Sequence, residues 1–233
     1  MLYKLSNIQT LKLSSGLTEW HFSHYPVFVI SENLVYVLLV LFAYLMGSIP
    51  VGVILSKLKG VDPRKTGSGN IGATNVMRAA GKKLGIITLI CDAAKGFIPV
   101  ILAICLGTPS YVIALAGFMV FLGHLFPVFL RFRGGKGVAT ALGVYLAVSP
   151  AIVIGAFIVF AIVFAIWRYV SLASLTGAIV IPVALYIVRA PCEFVVMSAV
   201  IAALVVVRHR DNISRLINGT ESKTSFSGGS GKN

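Results

Sequence analysis

Two short segments of this chain set isolated cations among glycines, a combination suited to holding anions. The first is Asp62-Pro-Arg-Lys-Thr-Gly-Ser-Gly-Asn-Ile-Gly-Ala-Thr-Asn-Val-Met-Arg78, and the second is Arg131-Phe-Arg-Gly-Gly-Lys-Gly-Val-Ala-Thr140. Glycine reaches positive φ and lets backbone N–H groups come close to an anion. Gly67, Gly69 and Gly72 match the letters of a dinucleotide fingerprint. That fingerprint needs a preceding strand and a βαβ unit, whereas apolar spans flank it here. Lys136 between Gly135 and Gly137 looks like half of a P-loop, but no Ser or Thr follows it and the upstream spacing fails. Nucleotide binding is therefore rejected, and anion binding is kept.

The first segment predicts a short helix from Ile71 to about Ala80, with Asn70 as its N-cap and Gly81 as its stop. Thr74, Asn75 and Arg78 lie three and four apart and would share one face. Ser68 and Asn70 would sit at the helix N-terminus, where the dipole favours negative charge. The result is a phosphate cradle with an Arg clamp; the plainer alternative is an interfacial helix whose Arg meets lipid headgroups. Lys136 offers a second anion site at a helix N-terminus, its alternative being a simple basic anchor loop. Further along, Ser171 and Ser174 are three apart, as are His209 and Asn212. His is the natural general base near neutral pH. Lipid-facing basic residues and helix-packing serines are the bland readings of these pairs. His124 lies inside an apolar run and is read as a packing residue. Asp92 and Lys95, also three apart in such a run, are read as a buried ion pair that fixes helix orientation.

The elements that must carry these residues are membrane spans. The chain has 233 residues, 58% of them hydrophobic and 12% charged, against about 25% charged in soluble domains. Its mean hydropathy is +0.94. Seven apolar stretches stand near 34–56, 84–106, 110–130, 137–149, 151–167, 172–188 and 193–207. Several are short for a hydrocarbon core of about 30 Å, the fourth most of all. They lack barrel alternation, so the expected fold is an all-α polytopic membrane protein of seven transmembrane helices, with a short cytoplasmic interfacial helix. Sixteen of the 20 Lys and Arg fall in alternate loops or the C-terminal segment. That side is expected to be cytoplasmic, with the N-terminus outside. A net charge of +13 then points to anionic lipid and anionic substrates rather than nucleic acid, because the charge sits in short loops. Residues 1–32 are read as an extracytoplasmic extension bearing His21 and His24, residues 33–218 as the membrane domain, and 219–233 as a disordered cytoplasmic tail. Cys91, Cys105 and Cys192 show no metal or redox spacing; only Cys192 is expected near the outer face.

Taken together, Gly47-Ser48…Gly52, the first glycine segment, His124…Pro127…Gly134-Gly-Lys-Gly-Val-Ala-Thr140, Ser171-Leu-Ala-Ser174 and Arg208-His-Arg-Asp-Asn212 with Glu221 resemble the bacterial acyl-phosphate:glycerol-3-phosphate acyltransferases over about residues 34–221. The resemblance implies one cytoplasmic-face site in the bacterial inner membrane, glycerol 3-phosphate and a fatty acyl phosphate as substrates, and membrane lipid as surroundings. It implies no metal, cofactor, thioester donor or nucleotide, and a monomer suffices. It assigns Ser68, Gly69, Asn70, Thr74, Asn75, Arg78, Gly134, Gly135, Lys136 and Gly137 to substrate binding, and His209, Asn212 and Ser174 to catalysis. The base is left open between His209 and a substrate phosphate. A transporter of an organic phosphate is the rival class. It would favour inverted repeats and a midplane site, and neither is seen.

Overall fold

The structure is a computed structural model that describes residues 31–224; the expectations for the N-terminal extension and for the tail from Ser225 lie outside these residues. Every regular element among them is helical: α1 (Glu32–Ser48), α2 (Val51–Lys57), α3 (Ala73–Ala80), α4 (Lys82–Cys105), α5 (Ser110–Leu125), a 3₁₀ turn (Val128–Leu130), α6 (Val138–Val148), α7 (Pro150–Trp167), α8 (Val170–Ile187), α9 (Cys192–Arg208) and α10 (Arg210–Ile217).

By length and composition, five segments can cross a membrane, or six if α9 and α10 form one span bent by 59°. The expected count of seven is not reached on those terms. The fourth expected span is α6, whose 11 residues rise only about 16 Å at 1.5 Å each. The outward faces are apolar: Ile90, Ile154, Phe157 and Ile166 are each more than 60% exposed, a surface made for lipid rather than water.

The spans meet through glycine. A side chain at Gly47 or Gly123 would strike the backbone of the facing helix, locking α1 to α5, and Gly96 and Gly143 lock α4 to α6 in the same way. Small residues let membrane helices approach closely where no hydrophobic force drives them together. Between α1 and α2 the helix breaks at Ile49 and Pro50. Lys95 reaches across from α4, donates to the Ile49 carbonyl at 2.9 Å and pairs with Asp92 at 2.9 Å. The expected ion pair is present, and it also satisfies a carbonyl at the helix break.

One local expectation is corrected. The short helix starts at Ala73, after an extended Gly72, and no side chain caps it. Asn70 is not its cap, because the Asn70 carbonyl is turned toward Asn75 and the chain stays extended through Gly72. Gly81 does end the helix, at φ +98°.

Candidate active site

A cavity of about 740 Å³ opens at the end of the bundle where the glycine segments gather. Six stretches far apart in sequence, and His124, reach it: 67–78, 85–92, 136–145, 153–160, 170–181 and 201–222. Its mouth is polar and cationic, and its depth is apolar.

Asn75 organises the first wall. It is 2% exposed. Its amide donates to the carbonyls of Pro63 (2.8 Å), Thr66 (3.1 Å) and Asn70 (2.8 Å), while its oxygen accepts from the Ser68 N–H at 2.9 Å. One side chain thus gathers four backbone groups that a bare loop would leave to water. The loop can turn around it because Gly67 and Gly69 stand at φ +59° and +70°, conformations that cost other residues. Asn75 lines the cavity with Thr74 and Arg78, but its side chain and the Ser68 amide are already used within the loop. Ser68, Asn70, Thr74 and Arg78 line the cavity, and among the described residues these four side chains make no internal hydrogen bond or ion pair.

The second wall holds Lys136. Gly134 and Gly135 donate to the Leu125 and His124 carbonyls, each at 3.1 Å. Their own carbonyls accept from Arg208, at 2.7 and 3.0 Å respectively. Gly69, Gly134 and Gly135 therefore do not reach the cavity wall, contrary to expectation. They shape and hold the loops, whereas Lys136 and Gly137 do line it. Gly137, at φ +81°, opens α6. Beneath the loop, the buried His124 ring packs against Gly135, and its Nδ1 lies 3.1 Å from the Thr140 hydroxyl, as suits a packing residue.

The third wall joins the ends of α8, α9 and α10 to the chain beyond them. Lys136 donates to Asn212 Oδ1, and Asn212 Nδ2 donates to Glu221 at 2.6 Å. An ammonium can only donate and a carboxylate can only accept, so this order fixes which way the Asn212 amide points. Glu221 also accepts from Ser171 (2.7 Å) and Arg215 (2.7 Å). Burial works to raise the Glu221 carboxyl, but the donors Asn212, Ser171 and Arg215 outweigh it and hold it below its ordinary range. Burial pushes the Lys136 ammonium down to about 8, with Glu221 opposing and Arg215 assisting.

His209 is 3% exposed. Its Nδ1 lies 2.8 Å from the Val205 carbonyl, which can only accept. The neutral ring therefore carries its proton on Nδ1, and Nε2 is left as the acceptor. Burial, then Lys136, lowers this imidazole to about 4. Ser174 lines the cavity beside it. Arg208, Ser171 and Glu221 stand among the residues that carry the family resemblance but not among the residues expected to bind or react, and Arg215 stands in neither group. The signal available for Glu221 was its spacing after Asn212, nine residues on, where a turn at Gly219 brings it back.

Among the described residues no group of three or more His, Cys, Asp or Glu is placed to hold a metal. The arrangement offers two cationic corners, Arg78 with neutral donors and Lys136 with Arg215, a neutral imidazole nitrogen on the wall of the same cavity, and an apolar limb. It suits an anion carrying a hydrocarbon tail together with a second, small anion.

Comparison with known proteins agrees with that chemistry. A family model described as glycerol-3-phosphate acyltransferase matches residues 37–219. The chain is 53% identical over 185 residues to the glycerol-3-phosphate acyltransferase of Geotalea daltonii, covering 79% of this chain and 95% of that one. It is 50% identical to the enzyme of the same name from Aquifex aeolicus, covering 78% and 96%. Among solved structures it resembles PlsY (YgiH), described as an integral membrane glycerol 3-phosphate acyltransferase. The match to its glycerol 3-phosphate form has a TM-score of 0.80 at 48% identity, covering 82% of this chain and 96% of that one. The lysophosphatidic acid form matches with a TM-score of 0.77 over the same shares.

Proposed function

We propose that this chain, which belongs to the glycerol-3-phosphate acyltransferase family, moves a fatty acyl group from acyl phosphate to glycerol 3-phosphate, releasing lysophosphatidic acid and phosphate. The observation that carries this reading is one cavity that joins two cationic corners to an apolar limb. Both substrates bring a phosphate, and only one brings a tail. The forms named for PlsY, glycerol 3-phosphate and lysophosphatidic acid, fit the acceptor and the product.

In this mechanism Arg78 takes the glycerol phosphate charge, and Ser68, Asn70 and Thr74 orient its glycerol. Asn75 keeps that loop in shape. Lys136, aimed by Asn212 and Glu221, takes the acyl phosphate. The glycerol hydroxyl oxygen bonds to the acyl carbonyl carbon, the bond from that carbon to the phosphate oxygen breaks, and phosphate leaves with the electron pair. The hydroxyl proton goes to His209 Nε2 or to a phosphate oxygen of the substrate. Acyl phosphate is already a reactive donor, so position and charge supply most of the acceleration. Ser174 and Asn212 face the reacting centre from the cavity wall. The setting is the bacterial inner membrane, with seven crossings, the N-terminus outside and the basic site end in the cytoplasm.

The direct test is purified protein given palmitoyl phosphate with and without glycerol 3-phosphate. Lysophosphatidic acid and phosphate should appear only when both are present. Product from an acyl thioester but not from acyl phosphate would overturn the donor assignment, and no product from a folded protein would overturn the reaction.

The pH dependence of kcat/KM, which reports free-enzyme groups, should show both limbs. Lys136 is charged below about 8, so activity falls as pH rises through that value. His209 is neutral above about 4, so activity falls as pH drops through it. Lys136→Arg keeps its charge at all working pH and should remove the basic limb. His209→Ala should remove the acid limb along with most activity if this imidazole is the base. Near-normal activity in that variant would assign the proton to the substrate phosphate.

A further inference from the structure

The apolar limb of the cavity has two unlike walls. The α4–α6 wall is locked, since Gly96 and Gly143 leave no room for a β-carbon against the Thr140 and Ala93 backbones. The α7–α8 wall is slack. Gly177, buried in the middle of α8, faces α7 with space to spare. A β-carbon there would sit 3.8 Å from the Ala156 carbonyl oxygen and 4.0 Å from Phe160 Cβ, both ordinary contacts. Neither packing nor backbone geometry requires glycine at this position, and alanine would suit a helix better. What glycine does is keep the limb clear here, since Ala156 and Phe160 line the cavity as well and any longer side chain would reach toward them.

The surrounding pattern says what the cleared limb holds. Ser171, Ser174, Gly177 and Ile181 line the cavity from one stripe of α8, at the spacing of a single helix face. The stripe runs from hydroxyls at the mouth, past an empty position, to a bulky buried side chain. From Ser174 to Ile181 the helix rises about 10 Å. An extended chain advances about 1.2 Å per bond, so a tail whose carbonyl sits beside Ser174 passes Gly177 near its fourth or fifth carbon and meets Ile181 near its ninth. Phe157 both lines the cavity and is 63% exposed on the lipid-facing side, so the limb opens sideways into the bilayer at that depth.

We propose that Gly177 is the residue that determines acyl specificity, as the bare stretch of α8 past which the acyl chain runs in the apolar limb. Ile181 ends the enclosed stretch. The protein grips roughly the first nine carbons and leaves the remainder in the membrane at the Phe157 opening. This rests on the acyltransferase reading above.

The test is a length series of acyl phosphates of 4, 8, 12 and 16 carbons, given to full-length native protein, Gly177→Ala and Gly177→Leu in lipid nanodiscs. Glycerol 3-phosphate binding is measured separately by calorimetry as a check on the folded site. Native kcat/KM should climb steeply to the eight-carbon donor and then change less than about threefold from 12 to 16 carbons. Gly177→Leu should bind glycerol 3-phosphate normally and use the four-carbon donor within about threefold of native, but lose at least tenfold with the 16-carbon donor. Gly177→Ala, whose β-carbon fits, should show the same trend more weakly. A Gly177→Leu profile parallel to native, in protein that binds glycerol 3-phosphate, would overturn the assignment. So would a native rate that keeps climbing through 16 carbons. Failure of the native protein to form product from any donor would bring down the acyltransferase reading and this proposal with it.

Discussion

Lys136→Ala is expected to lower kcat/KM for acyl phosphate by about 10²- to 10³-fold, the usual loss when one preorganised donor to a developing charge is removed. The lysine is the cation that the structure invests in most heavily. Arg208 clamps the two carbonyls before it, Gly137 opens a helix after it, and Asn212 and Glu221 hold its amine from the far wall. Exposed lysines need no such scaffolding. The effect should fall on acyl transfer and leave glycerol 3-phosphate binding nearly intact, since Arg78 and its neighbours stand in another loop. A melting curve in detergent should show a folded protein, because among the described residues the amine makes only one internal hydrogen bond. A loss below tenfold would remove Lys136 from the transferring phosphate and shift that duty to Arg215, the other cation of that corner.

Asn75→Ala is the second large effect, and it should differ in kind. Three carbonyls and one N–H lose their partner at once. Each buried group left unpaired costs about 1–3 kcal/mol, although water entering the widened loop offsets part of this. We expect the loop to lose about 2–4 kcal/mol of local stability. The affinity for glycerol 3-phosphate should fall at least tenfold, because Ser68, Asn70 and Thr74 would no longer be held in place. Faster hydrogen exchange at the Ser68 amide, with the exchange of the α4–α5 core unchanged, is the specific signature. Asn75→Asp should do worse, since it sets a carboxylate against the carbonyls of Pro63, Thr66 and Asn70. An unchanged KM for glycerol 3-phosphate in Asn75→Ala would show that the loop is shaped by its glycines alone.

The contrast between these two residues marks where the sequence was legible. Lys136 stood out because a cation ringed by glycine is unusual, and that rarity is visible in the letters. Asn75 was picked out too, and it does line the cavity with Thr74 and Arg78. What helical spacing does not show is that its amide is spent on loop carbonyls that no periodicity describes. Glu221 was harder still. Its side-chain partners come from α8 and α10, and only the fold brings Ser171 within 2.7 Å of it. The span pattern was readable because hydropathy and basic loops act over whole segments. So was the short fourth span, near 137–149 in the sequence and Val138–Val148 in the fold, because Gly137 and the Ser149-Pro150 step bound it. The packing of Gly96 and Gly143 against bare backbone was not, because it depends on which helices meet, and that is decided in three dimensions.

Glu221 comes from beyond the last helix, and its position has a consequence for how the protein is made. All the membrane-crossing segments and every other residue named for the mechanism leave the ribosome before it. A chain cut short at residue 218, by a nonsense codon or a protease, would still carry a fully inserted bundle. It would lack the carboxylate that aims Asn212, and through it Lys136. Competence therefore arrives last in synthesis, after insertion is complete. An unfinished copy in the membrane would occupy space without the aligned cation that the proposed mechanism sets on the acyl donor, and a small C-terminal deletion would separate correct insertion from working chemistry.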